Sequence, residues 1–217
     1  MNTRHNVLLF ALLSLALLAG CAAPAATSVT YDDPFAYCAA VGTADTPDEL
    51  WLLEHPPVYT QAQAGRPEHL IAETAIPVVP IDRGGQITYH GPGQVVVYVL
   101  VDLRRLGYGI RELVTRMEQA VINVLAAEGV SAARLPGAPG VYVDGAKIAA
   151  LGLRVKHGCT YHGLAFNVDM DLRPFAAINP CGYAGMRVTQ ARDLGVKLSL
   201  PQAEQALTQA LRNTIYC

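Results

Sequence analysis

An α+β fold is what this sequence predicts, on three observations. Strand-like segments crowd the middle of the chain. One long amphipathic helix interrupts them and a second closes the chain. Nowhere do strand and helix alternate in the regular βαβ rhythm of a parallel sheet. The 217 residues suit one sizeable core, and 52% apolar against 16% charged residues is a globular balance. A formal net charge of −2 gives no general basis for binding nucleic acid, which needs a strongly basic face. Five cysteines, at positions 21, 38, 159, 181 and 217, form no disulfide framework and no C-x-x-C pair.

Taken in order, the chain opens with Arg4 and His5 before an uncharged, largely apolar run from Val7 to Ala19. The run ends in Leu18-Ala-Gly-Cys21, the pattern of a bacterial lipoprotein signal with its lipidation cysteine. The Ala/Pro/Thr-rich Ala22–Thr30 reads as a linker, so residues 1–44 are set apart from a domain spanning 45–217. Asp48–Glu54 reads as a strand with Trp51 and Leu53 on one face, and His55-Pro-Pro57 must be extended or turning. Val58–Thr60 with the polar Gln61–Gly65 reads as a further loop. Ile76–Ile81 is a short β-branched strand, and Val95–Leu103 another.

Ile110, Leu113, Val114, Met117, Val121, Val124 and Leu125 recur at three- and four-residue spacing. They predict a helix over 110–129, with Glu112 and Arg116 paired at i,i+4 and Gly129 as its C-terminal cap. Gly140–Val155 reads as a hairpin turning at Asp144-Gly145. Clean alternation of Leu164, Phe166, Val168, Met170 and Leu172 makes Gly163–Leu172 a strand with one buried face. Ser199 with Gln202 supplies a capping box for a last helix running to about Asn213.

Chemistry concentrates in four stretches. Arg83-Gly-Gly-Gln-Ile-Thr-Tyr-His-Gly-Pro-Gly-Gln94 places four glycines and a proline among hydrogen-bonding side chains, directly before an apolar strand. A connector needs the glycines but not so many polar groups, so this is a ligand-gripping loop, although it matches no nucleotide fingerprint. Cys181, between Pro180 and Gly182, sits on a tight turn as a candidate nucleophile. Lys147 stands in a strand of Ala, Ile, Leu and Gly; it is either a solvated residue or a charge kept for a functional site. His157, Cys159 and His162, with His90, have metal-ligand residue types. A straight strand turns His157 and His162 to opposite faces, so no metal is assigned.

With these stretches read, residues from about 45 to the C-terminus resemble the lipoyl(octanoyl) transferase family, whose fold is that of biotin and lipoate protein ligases, a central mixed sheet flanked by helices. The resemblance rests on Arg83–Gln94, Lys147–Gly152, His157–Asp171 and Asn179–Gly185 in the same order. It implies octanoyl transfer to a lysine of lipoyl-carrier domains by a ping-pong route. Cys181 is implied as the acyl-thioester nucleophile and Lys147 as the group lowering its pKa. Substrate binding is implied for Arg83, Gly84, Gly85, Gln86, Ile87, Thr88, Tyr89 and His90, for Ala150, Leu151 and Gly152, and for Gly163, Leu164 and Ala165. No cofactor is implied. The implied donor is octanoyl-acyl carrier protein. The implied acceptors are lipoyl domains of 2-oxoacid dehydrogenases and the glycine cleavage H protein, and the implied state is a cytoplasmic monomer. For the acidic carrier, Arg104-Arg105, Arg111 with Arg116, and Arg154 with Lys156 are candidate contacts. Two other readings stand beside it: an ATP-dependent lipoate–protein ligase on the same fold, and a non-enzymatic lipoprotein lipidated at Cys21 that retains a decayed transferase body.

Overall fold

The computed structural model describes residues 47–217, the side chain of Cys181 excepted; the leader-like segment and the linker of the first 44 residues lie outside the described residues. In chain order the strands are β1 (Glu49–Leu53), β2 (Val58–Gln61), β3 (Val78–Pro80), β4 (Thr88–His90), β5 (Gln94–Leu100), β6 (Ala133–Leu135), β7 (Ala138–Val143), β8 (Ala146–Lys156) and β9 (Cys159–Asn167). The helices are a single-turn α1 (Leu103–Leu106), α2 (Ile110–Ala127) and α3 (Leu200–Tyr216). Six strands form one antiparallel sheet in the order β1-β5-β9-β8-β7-β6. The other three form a smaller sheet, β3-β2-β4, in which β2 pairs parallel to β3 and antiparallel to β4. The mixed character expected of the fold therefore resides in the smaller sheet.

Side-chain alternation divides the large sheet into two faces. Val95, Val97, Val99 and Val101, with Leu164, Phe166, Val141 and Val143, face a layer made by α2 and α3. Helix α2 forms because its apolar positions recur at helical spacing, and the Glu112–Arg116 pair closes at 2.8 Å on its outer side. It ends where Gly129 enters the left-handed region, with the Gly129 and Val130 amides bonded back to Ala126 and Leu125. Helix α3 starts at Ser199, whose amide and hydroxyl both donate to the Gln202 side chain. It buries Ala203, Leu207, Leu211 and Ile215. Each of the three larger side chains contributes roughly 1.5–3 kcal/mol through that burial.

The opposite face of the sheet carries chemistry rather than a second helical layer. At one end Trp51 packs with Leu100, Cys159 and Tyr161. Over the rest lie the small sheet and the turns that follow β9, with Tyr59, Ile87, Tyr89, Met170, Phe175 and Ile178 as a second apolar cluster. One close approach depends on a missing side chain: a Cβ at Gly163 would stand 2.0 Å from the Val97 carbonyl oxygen. Two of the sheet's hairpins, β7–β8 and β8–β9, turn on left-handed pairs, Asp144-Gly145 and His157-Gly158. Two expectations differ in detail. Val58–Gln61, read as loop, is the central strand of the small sheet, and the strand expected over Gly163–Leu172 runs instead over Cys159–Asn167. In the first case β2 owes its pairing to distant segments. In the second, Val168 and Asp169 turn their amides to the Gly93 carbonyl. Among the described residues no helix is long and apolar enough to cross a membrane.

Candidate active site

A β-bulge places Lys147. Ala149 pairs with Val141, but Tyr142 pairs with Lys147, so β8 carries one extra residue, Ile148, opposite the step from Val141 to Tyr142. Ile148 and Ala149 both face the helices, and Lys147 is returned to the open face together with Ala150. The lysine is only 3% exposed. Its ammonium donates to the Pro139 carbonyl at 3.2 Å and lies 5.2 Å from the Tyr142 ring centre. Its stem lies against Gly140, where a Cβ would stand 3.0 Å from Lys147 Cε. The Pro139–Gly140 peptide is itself held from α2. The Gly140 amide donates to Glu118 Oε1 at 2.8 Å, and Glu118 Oε2 accepts from Arg134 Nε at 3.0 Å.

The Asn-Pro-Cys-Gly segment is the tight turn expected of it. Pro180–Gly182 is one 3₁₀ turn, closed by the Gly182 amide on the Asn179 carbonyl at 3.0 Å. The turn is tied to the segment after Pro67–His69: Asn179 N donates to His69 O at 2.8 Å and Ile71 N to Ala177 O at 2.9 Å. Pro180 lines one narrow cavity with Lys147, Thr88, Gln94, Ala150, Asn167, Phe175 and Val188. The turn that carries Cys181 and the buried lysine thus meet around a single space, though they are 34 positions apart in sequence, from 147 to 181.

The glycine-rich loop forms the roof. Arg83 is buried, and its guanidinium donates to Thr60 O at 2.8 Å, to Thr60 Oγ1 at 3.0 Å and to Gly84 O at 3.0 Å. Gly84 N donates to Leu153 O at 3.0 Å, laying Arg83–Gly84 across Gly152 of β8, while Gly85 turns with φ +90°. Beyond it the chain alternates: Ile87 and Tyr89 enter the second apolar cluster, while Thr88 lines the cavity. The floor is bare sheet. Ala150 pairs with Ala165 and Gly152 with Gly163, four small residues in a block, while Leu151 and Leu164 between them face the helices.

A directed hydrogen-bond chain runs beside the cavity. The Thr189 carbonyl can only accept, so Asn167 Nδ2 donates to it at 2.9 Å, and Asn167 Oδ1 accepts from Gln94 Nε2 at 2.8 Å. Gln94 Oε1 then accepts from His90 Nδ1 at 2.7 Å, which leaves His90 Nε2 as an acceptor. Burial pushes the His90 pKa down to about 3, against the bond to Gln94, so the ring is neutral. His55, 5.5 Å from the His90 ring, is also held low by burial. His162 is lowered by burial despite its 2.9 Å contact with Asp82, which also accepts from the Tyr161 hydroxyl. Among the described residues no three His, Cys, Asp or Glu side chains are grouped so as to hold a metal ion. The basic side chains expected to form a docking face are partly engaged: Arg104 pairs with Asp102, Arg105 with Asp48 and Arg154 with Gln63.

Sequence reasoning missed Glu118, Asp82, Asn167 and His69. Only Glu118 carried a usable signal: an acidic side chain seven residues before Leu125 and four after Val114 lies on the apolar face of α2.

The description "Lipoyl protein ligase A/B catalytic domain" belongs to the family model that matches residues 29–212, starting ahead of the expected boundary at 45. Over 178 residues the chain is 79% identical to an octanoyltransferase of Thiobacillus denitrificans, covering 82% of each protein. It is 62% identical over 169 residues to an octanoyltransferase of Dechloromonas aromatica, covering 78% of this chain and 82% of that one. Among solved structures it resembles lipoate-protein ligase A bound with ATP, at a TM-score of 0.66 and 20% identity over 83% of this chain and 78% of that one. It equally resembles a bi-partite lipoate protein ligase from Thermoplasma acidophilum, at 0.65 and 20% over 83% and 77%. At such identities these two likenesses speak for the fold.

Proposed function

The chain belongs to the lipoyl protein ligase A/B catalytic domain family, and we propose that within it the protein is an octanoyltransferase carrying the acyl group on Cys181. The observation that carries the activity is the 79% identity to the Thiobacillus octanoyltransferase across 82% of both chains. What supports Cys181 and Lys147 as the working pair is that the Pro180–Gly182 turn and the lysine border the same cavity.

In this reading the Cys181 thiolate attacks the thioester carbonyl of an octanoyl-acyl carrier protein. The carbon–sulfur bond to the carrier breaks, and the departing thiolate takes a proton. The ε-amine of a lysine on a lipoyl-carrier domain then attacks the acyl-enzyme and expels Cys181. A neighbouring ammonium favours thiolate over thiol, and holding Lys147 in a nearly dry site strengthens that effect. The block of Ala150, Gly152, Gly163 and Ala165 gives an acyl chain a flat surface, closed above by Arg83 and Gly84. Exchanging one thioester for another is nearly isoenergetic, so the first step needs no nucleotide. The protein works as a monomer in the cytoplasm on lipoyl domains of 2-oxoacid dehydrogenases and the glycine cleavage H protein.

The test is an intact mass of the full chain after mixing with octanoyl-acyl carrier protein, alongside Cys181→Ala and Lys147→Met. One octanoyl adduct is expected on the parent protein, none on the alanine variant and slow formation on the methionine variant. An adduct that survives Cys181→Ala refutes the assignment.

A further inference from the structure

Three rows of residues cross the open face of the large sheet. Gln94 and Asn167 make the first, beside Lys147; Val96, Ala165 and Ala150 the second; Tyr98, Gly163 and Gly152 the third. The cavity bordered by Lys147 and Pro180 stands over the first two rows, since Gln94, Asn167 and Ala150 also line it. Over the third row the roof comes down. A Cβ on Gly152 would lie 3.0 Å from Arg83 Cδ and 3.0 Å from the Gly84 carbonyl oxygen, so the glycine-rich loop rests directly on the strand.

The wall at this point is fastened residue by residue, each to a different strand. Asp82 contacts His162 Nε2 at 2.9 Å and accepts from the Tyr161 hydroxyl, both on β9. Arg83 donates to Thr60 of β2, at 2.8 Å to its carbonyl and 3.0 Å to its hydroxyl. Gly84 N donates to Leu153 O of β8 at 3.0 Å. A wall tied in three directions does not yield easily. The two ends of the cavity also differ in chemistry. At the first row stand the Lys147 ammonium and the hydrogen-bonded chain of Gln94, Asn167 and Thr189. Methylene groups laid there would cover polar atoms, whereas beyond it the floor is valine, alanine and glycine. An acyl chain whose carbonyl sits beside Lys147 therefore runs from the first row toward the third.

We infer that Asp82-Arg83-Gly84 is the stop that sets acyl-chain length, with the Arg83 stem against the terminal methyl; the inference rests on the acyl-transfer reading above and deepens it. Distances decide how much chain fits. On β9 Asn167 and Gly163 are four residues apart, about 13 Å at about 3.3 Å per residue. Carbon–carbon bonds of about 1.5 Å at a near-tetrahedral angle advance an extended chain by about 1.25 Å each, so the seven bonds of an octanoyl group span about 9 Å. A van der Waals contact of about 4 Å between its methyl and the wall completes the distance. A dodecanoyl group overruns it by about 5 Å. Chains of up to eight carbons gain apolar contact with each carbon added. A longer one must lift the wall off Gly152 against its three ties, or buckle inside the cavity.

The test follows acylation of the full chain by intact mass at sub-saturating donor. The donors are acyl carrier protein loaded with acyl groups of four, six, eight and twelve carbons. In the parent protein the rate should rise about fourfold per carbon from four to eight, the worth of a buried methylene, and fall at least about tenfold from eight to twelve. Arg83→Ala removes the stem and should raise the twelve-to-eight rate ratio at least about tenfold. Asp82→Ala unties the wall from β9 but keeps the stem. Its side chain is 32% exposed, and its loss should raise the same ratio about fourfold. Ratios are read because general damage to the site slows every donor alike. A parent protein that takes twelve carbons as fast as eight overturns the inference. So does a folded Arg83→Ala whose ratio stays within about twofold of the parent's, or, where that variant does not fold, an Asp82→Ala that behaves so. An octanoyl adduct formed without length dependence removes the stop and leaves Cys181 standing. If no donor leaves an adduct on the parent, the Cys181 reading falls and this one with it.

Discussion

Glu118→Ala tests the mechanical link from helix α2 to the lysine. In the parent protein Glu118 is 6% exposed and accepts from the buried Gly140 amide, the neighbour of the carbonyl that receives the Lys147 ammonium. Alanine leaves that amide without its acceptor, a loss of about 1–3 kcal/mol for a buried donor. Arg134 loses its carboxylate too, but its side chain is 35% exposed and rehydrates, so that pair adds only about 0–1 kcal/mol. The one lost methylene adds a little under about 1 kcal/mol, discounted because part of the space refills. Urea unfolding should therefore show a destabilisation of roughly 2–4 kcal/mol. The acylation burst should slow as well, because the Pro139–Gly140 peptide is no longer held under the ammonium. Glu118→Gln keeps an oxygen for Gly140 and should cost about 1 kcal/mol or less, with near-parental acylation. The reasoning is refuted if the alanine variant is destabilised by less than about 1 kcal/mol and still acylates at the parental rate. It is also refuted if glutamine costs as much as alanine, for then the charge and not the hydrogen bond would be what matters.

Other consequences are equally open to measurement. Gly163→Ala forces a Cβ to within 2.0 Å of the Val97 carbonyl, so soluble folded protein should be lost, and a native far-UV spectrum with an unchanged melting temperature would contradict the strand spacing. Burial lowers the folded-state pKa of His90 from 6.5 to about 3, so below pH 6.5 the unfolded chain binds a proton that the native one refuses. Stability is then complete above pH 6.5 and falls by about 1.4 kcal/mol per pH unit on the way down to 3. His55 and His162 shift in the same direction and add to the slope, so urea midpoints from pH 7 to 4 should fall less steeply in His90→Gln. Ser199→Ala removes one side of the cap on α3 and should cost about 1 kcal/mol in the same denaturation assay.

How much of this was legible beforehand depended on whether a signal was local. The helix over Ile110–Ala127, the Asp144-Gly145 turn and the Ser199–Gln202 cap were readable because spacing or turn chemistry within a few residues determines each. Strand β2 was not, since Val58–Gln61 is bounded by prolines and polar residues and finds its partners at 78–80 and 88–90. At the site, residue types showed that Cys181 sits on a turn and that Lys147 is out of place among apolar neighbours. What they could not show was that both border one cavity, because that depends on a bulge and on a turn tied down by a third segment. Beyond the local His90–Gln94 bond, the histidine, glutamine and asparagine network was invisible for the same reason: its bonds from Gln94 to Asn167 and from Asn167 to Thr189 join residues far apart in sequence.

The extra residue in β8 also bears on how the strand resists misfolding. On a regular strand only positions an even number apart share a side, yet Lys147 and Ala150 differ by three. The strand therefore changes parity once, at Ile148. Its C-terminal part takes its phase from β9, and its first residues take theirs from the hairpin with β7. Straightening the strand would turn the ammonium toward the layer of Leu113, Met117 and Val121, where a charge finds no partner. The charge thus locks the strand's phase: the lysine reserved for chemistry also makes the competing arrangement too costly to populate.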